Sequence, residues 1–356
     1  MFKILLLGGF LLVVNTIFGQ TDPKKIALEK GQEAIKLMDN GKIEESIKLL
    51  KDAQKLDPDR LDYPYELALA YYKKSDYNEA IKILEQFKNH KKVNDRFFQL
   101  LGNSYDYIEN SEKAIEIYDE GLKLFPKSGS LYLEKGNVYW HKKDYLKALS
   151  FYEDGIKADP SFPSNYYRAA RIYCSSSEEV WGLIYGEIFM NLERNSSRTS
   201  EISKLLFDTY NSQITIDGDT TKIDFCNIVI DSKKELKKKN RPFCMVFGKA
   251  LILSFDGISK IDINSLDKLR SIFIQEYYRQ GSAKTHPNVL FEYQKKILEL
   301  GHAEAYNHWI LMKGDEDKFI VWQSANQEKW NNFISWFKEN KLEIGDNKKF
   351  CRLHYE

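Results

Sequence analysis

A 34-residue period runs through the first half of the chain and restricts it to an architecture of stacked, near-identical units. A small residue returns as Ala34, Ala68, Gly102, Gly136 and Ala170, and a large one three positions later as Leu37, Tyr71, Tyr105, Tyr139 and Tyr173. A second small column runs Ser46, Ala80, Ala114, Ala148 and Gly182, while Pro58, Pro126 and Pro160 keep the same frame. Small side chains let two helix axes approach closely, large ones fill the space between neighbouring units, and a proline ends one helix and opens the next unit. The spacing therefore predicts helical hairpins at 27–60, 61–94, 95–128 and 129–162. A degenerate fifth at 163–196 keeps Tyr166, Ala170, Tyr173 and Gly182 but has Arg194 in place of proline. The second unit departs too, with Lys92 for proline and Phe87 at a position that is usually smaller, so its second helix is expected to end differently or to sit slightly apart.

These columns resemble the tetratricopeptide repeat, a helix-turn-helix unit of this period. The resemblance implies an all-α superhelix, a solenoid, whose first helices line a concave face that another chain can enter. By register, the positions on that face are Tyr65, Leu69 and Tyr72; then Gln99, Asn103, Asp106 and Tyr107; then Leu133, Asn137, Trp140 and His141; and last Tyr167 and Arg171. Amide and aromatic groups suit a protein or peptide ligand, because an amide both donates to and accepts from a backbone while aromatic rings supply contact area. The competing reading packs Tyr72, Tyr107 and Trp140 against adjoining elements and fills the groove from within. Family members that clamp a terminal carboxylate use lysine, asparagine and arginine at set positions. Asn103 and Arg168 match that scheme in part, but Gln99 and Ser164 replace the lysines and Glu134 brings a negative charge, so such a clamp is not expected.

The first twenty residues carry Lys3, an apolar run from Ile4 to Phe18 interrupted by Asn15, and a polar exit. That run is short of the roughly 20 residues that span a bilayer and reads as a secretory signal at 1–20, followed by a linker at 21–26. The expected product is periplasmic or secreted from a bacterium, with no stable membrane insertion after cleavage. A net charge of +1 gives no global attraction to nucleic acid or to an anionic membrane. Cys174, Cys226, Cys244 and Cys351 have no zinc-type spacing, and an oxidising compartment would permit a bridge without saying which.

Residues 197–356 are expected to form an all-α C-terminal domain, a cap or continuation of the stack. Apolar stripes at helical spacing fall in 201–212, 224–239, 242–255, 265–280, 287–300, 303–313 and 327–340. The run Lys318 to Gln323 suits a strand or a helix. Trp309 and Trp330 belong to buried stripes, which argues against a carbohydrate platform.

Catalytic and cofactor signals are weak. Glu304 and His308 share a helix face, but the His-Glu-x-x-His spacing of zinc proteases is missing. Asp217, Gly218 and Asp219 form a turn without the alternating oxygen ligands of a calcium loop. No P-loop, dinucleotide fingerprint or nucleophile elbow occurs. No cofactor and no metal are expected, and the chain reads as a non-enzymatic scaffold or adaptor. Two alternatives stand beside it: a hydrolase-like enzyme using Glu304 and His308, and a glycan- or lipid-binding module using the run from Lys233 to Arg241.

Overall fold

The computed structural model describes residues 22–218, 220–226, 241–255 and 257–355. The expected signal at 1–20 and the lysine run at 233–239 lie outside the described residues, as do Asp219 and most of the stretch 224–239. The chain divides into two compact units, one ending at Val93 and the other beginning at Asn94.

The first unit holds α1 (Pro23–Asp39), α2 (Ile43–Leu56), α3 (Asp62–Lys73) and α4 (Tyr77–Phe87). The fully buried small residues Ala34, Ala68 and Ala80 sit where helices touch, and a Cβ on Gly31 of α1 would strike the Tyr63 ring of α3. Helix α4 has 11 residues where α2 has 14, and it stops at Phe87. The unit boundary follows, next to the missing proline at Lys92.

The second unit opens with three hairpins: α5 (Asp95–Tyr107) with α6 (Ser111–Leu124), α7 (Gly129–His141) with α8 (Tyr145–Ala158), and α9 (Pro163–Tyr173) with α10 (Glu179–Leu192). In α5–α6 and α7–α8 a tyrosine lies flat on a glycine. Any Cβ on Gly102 would enter the Tyr118 ring, and one on Gly136 the Tyr152 ring. The turns inside the hairpins repeat as well. Ser75, Glu109 and Lys143 adopt φ of 65°, 60° and 61°, and the next residue, Asp76, Asn110 or Asp144, caps the following helix through its side chain. The cap N–H groups donate to the carbonyls of Tyr71, Tyr105 and Tyr139 at 2.9, 2.9 and 3.0 Å, so the tyrosine column also closes each turn.

Helix α10 is buried on every side from Glu179 to Asn191, so it is the centre of the second unit rather than its surface. Packed on it or beyond it are α11 (Ser197–Gln213), α12 (Phe243–Ile252), α13 (Ile263–Arg279), the short α14 (Ser282–Thr285), α15 (Val289–Glu299), α16 (Ala303–Leu311), α17 (Glu316–Ala325) and α18 (Gln327–Glu339). Lys318 to Gln323 is helical, inside α17. Arg194, standing where the repeat expects proline, stacks on Phe337 and donates to the carbonyls of Phe337 and Asn340, tying the end of α10 to α18.

One feature departs from the all-helical expectation for the C-terminal region. Residues Ile214–Asp217 (β1) and Thr220–Ile223 (β2) form an antiparallel hairpin, with Ile214 opposite Ile223. Gly218, at φ 55°, lies in its turn. The β-branched run Ile214, Thr215, Ile216 favours a pleated strand, a preference that counting helical stripes passes over. Cys226 and Cys244 form a disulfide with Cα atoms 6.2 Å apart, while Cys174 and Cys351 are free thiols.

Two charge clusters, the first fully buried, tie the elements together. Arg270 of α13 donates to Glu187 of α10 at 2.8 Å, to Asn307 of α16 at 2.8 Å and to Tyr210 of α11 at 3.3 Å. Glu187 also receives Tyr306 at 2.8 Å and Gln294. The second cluster holds the C-terminal tail, residues 342–355, against α8 and α10. Arg352 bonds Glu153 at 3.1 Å and Glu178 at 3.2 Å, and Phe350 and Tyr355 pack on Trp181.

Candidate functional site

Helices α5, α7, α9 and α11 follow one another across the second unit and present a common row of side chains. On α5 and α7 the row is tied together by amides. Gln99 donates to one oxygen of Glu134 at 2.9 Å, and Asn137 donates to the other at 3.0 Å. Asn103 and Asn137 each accept the hydroxyl of the tyrosine fifteen residues on, Tyr118 at 2.6 Å and Tyr152 at 3.0 Å. The two amide oxygens thus satisfy hydroxyls of tyrosines whose rings lie buried between the helices, a structural duty the register alone does not disclose. Burial drives the Tyr152 hydroxyl well above the ordinary tyrosine range, so it stays protonated and donating. Asp106 accepts Ser111 at 2.8 Å and stands 3.9 Å from His141. Tyr107 and His141 are exposed.

Beyond them the row becomes aromatic and cationic. Trp140 is half-buried, edge-on to Tyr145 at 5.0 Å, with the Arg171 guanidinium 5.5 Å and that of Arg168 5.9 Å from its ring. Tyr167 is only 7% exposed and packs on Phe189, so it is a wall residue more than a contact surface. Its hydroxyl donates to Glu201 of α11 at 2.7 Å, and burial first, then Glu201, raises its pKa. Arg171 pairs with the same Glu201 at 3.3 Å. A cleft of about 660 Å³ opens here, lined by Trp140, Arg171, Glu201, Lys204, Leu205 and Lys313 among others. Its flanking charges come as pairs, Lys204 with Asp208 at 3.0 Å and Lys313 with Glu316 at 2.8 Å.

Glu201, Lys204 and Leu205 carry no motif that singles them out in the sequence. One further 34-residue step reaches two of them, from Tyr167 to Glu201 and from Arg171 to Leu205, although the small-residue column no longer holds there. Tyr65 and Tyr72 belong to the first unit, where both are half-buried and Tyr72 meets Tyr77 edge-on at 5.3 Å.

The Glu304 and His308 side chains do not face each other as an acid–base pair. His308 is 1% exposed, bonded to the Glu304 carbonyl at 2.8 Å and to Asn264 at 3.1 Å, and stacked 4.0 Å from Trp322. Burial holds its pKa below the ordinary histidine value. The Glu304 carboxylate receives Trp322 at 2.7 Å and Lys329. Among the described residues no cluster of His, Cys, Asp and Glu is placed to hold a metal ion, and no helix is long and apolar enough to cross a membrane.

Comparison with known proteins agrees with the repeat geometry. Two tetratricopeptide-repeat family models match, one over residues 37–103 and one over 100–163. A TPR repeat-containing protein of Bacillus subtilis (strain 168), YpiA, is 27% identical over 96 residues, which are 27% of this chain and 22% of that relative. The chain therefore matches about a fifth of that relative's length. Among solved structures, TTC0263, a thermophilic TPR protein of Thermus thermophilus, aligns at 16% identity over 51% of this chain and 98% of its own, with a TM-score of 0.43. The pilF protein of Pseudomonas aeruginosa aligns at 16% identity over 54% of this chain and 86% of its own, with a TM-score of 0.45. Residues 37–163 match the tetratricopeptide-repeat family, and the C-terminal region that follows is assigned to no family.

Proposed function

We propose that the protein is an exported scaffold that holds a segment of another protein along the row formed by α5, α7, α9 and α11. The observation that carries this reading is the 660 Å³ cleft at the end of that row, bounded by the half-buried Trp140 and Leu205 and left open by the protein's own tail. The tail lies against α8 and α10 instead, with Lys127 bonded to Asp346 at 2.6 Å and Arg352 to Glu153. A concave surface with an aromatic anchor and paired polar walls is the arrangement in which a few side chains carry most of the binding energy. Export is supported by the apolar leader and by the Cys226–Cys244 bridge, which persists in oxidising compartments.

Affinity enrichment from cell-envelope extract, comparing the wild type with Trp140→Ala/Leu205→Asp, tests the groove. The partner should be recovered with the wild type and lost with the variant, whose helix content should be unchanged. Equal recovery removes the cleft from the account. Fractionation with sequencing of the mature N-terminus tests export, and an intact leader on a cytoplasmic product refutes it.

A further inference from the structure

Glu134 of α7 and Arg168 of α9 occupy the same register position one repeat apart. Both are half-buried on the inner row, and both lack an ionic partner among the described residues. Glu134 takes an amide on each oxygen, from Gln99 and Asn137, but no cation. Arg168 has the faces of Trp140 at 5.9 Å and Tyr167 at 5.8 Å, but no carboxylate. Their neighbours behave differently, since Arg171, Lys204 and Lys313 all have carboxylates at ion-pair distance. The amides orient Glu134 and the rings orient Arg168, so neither side chain would lose much rotamer freedom on pairing.

We infer that the groove selects an extended segment carrying a basic and an acidic side chain, the basic one set on Glu134 and the acidic one on Arg168. Packed helices stand about 8–10 Å apart, and an extended chain rises about 3.3 Å per residue, so the two charges should be separated by about three residues. The order of the charges would fix which way the segment runs. A run of acidic residues alone would meet the Glu134 carboxylate and be disfavoured. This inference rests on the groove reading above.

The test is selection from a phage-displayed random library of peptides on purified full-length wild type, Glu134→Gln, Arg168→Gln and the charge swap Glu134→Arg/Arg168→Glu. Trp140→Ala serves as the groove control, and circular dichroism checks each fold. Wild type should enrich peptides with a basic and an acidic residue at a fixed separation of about three. Each single variant should bind those peptides about tenfold more weakly. The swap should enrich the opposite charge order. Binders that depend on Trp140 but show no paired charges would overturn the inference and leave the groove standing. If no binder depends on Trp140, the groove and the inference fall together.

Discussion

Replacing Arg270 with methionine removes the cation from a carboxylate that has nowhere to go. The Arg270 and Glu187 side chains are 6% and 4% exposed, and they join α13 to the central helix α10. In the variant, Glu187 keeps Tyr306 and Gln294 as donors but loses its charge partner, and Asn307 and Tyr210 each lose a hydrogen bond. Breaking a buried pair from one side costs about 3–5 kcal/mol, which in a domain of this size lowers Tm by on the order of 10 °C. Glu187→Met/Arg270→Met removes both charges and should cost less than the two single changes together, with a coupling of at least about 2 kcal/mol. The assay is built into the sequence: all six tryptophans (Trp140, Trp181, Trp309, Trp322, Trp330 and Trp336) lie in the second unit, so urea unfolding followed by tryptophan fluorescence reads that unit alone. An Arg270→Met cost under about 1 kcal/mol, or single changes that simply add, would refute the argument that this pair acts as one buried unit.

Gly136→Ala should destabilise the same unit by about 1–3 kcal/mol, because the added methyl group enters the Tyr152 ring, whereas Gly345→Ala, with open space around it, should leave the urea midpoint unchanged. Cys226→Ser/Cys244→Ser frees a link spanning 18 positions and should cost about 3 kcal/mol, seen as a lowered midpoint that reductant lowers no further. Burial holds the pKa values of His286, His302 and His308 below the ordinary histidine value. Well above about pH 6.5 these residues are neutral whether folded or not. As pH falls through that value, the unfolded chain takes up protons first and stability is lost. The urea midpoint should drop between about pH 7.5 and about pH 5.5, and drop less in His302→Gln, before the carboxylates titrate.

What the sequence made legible follows from periodicity. Columns such as Gly102 and Gly136 announce close helix contacts because each repeat solves the same packing problem, and the structure seats Tyr118 and Tyr152 in the gaps. Asn103 and Asn137 show where that logic stops. Their register places them on the inner face, but the hydroxyls they accept come from tyrosines fifteen residues away, which no spacing on one helix reveals. The Glu187–Arg270 pair spans 83 positions and the Arg352–Glu153 bond 199, and neither belongs to a repeat. The hairpin of β1 and β2 escapes a periodicity reading because four-residue strands are shorter than the window that periodicity needs.

The Arg352 clasp also has a temporal side. Glu153 belongs to α8 and could enter its hairpin as soon as that hairpin leaves the ribosome, but its cation is encoded 199 positions downstream. At about 5–20 residues per second the carboxylate would wait roughly 10–40 s for neutralisation, with Tyr173 as its interim hydrogen-bond donor. A nascent chain halted after α10 but before Arg352 would carry every repeat hairpin with the seam between α8 and α10 still unlatched.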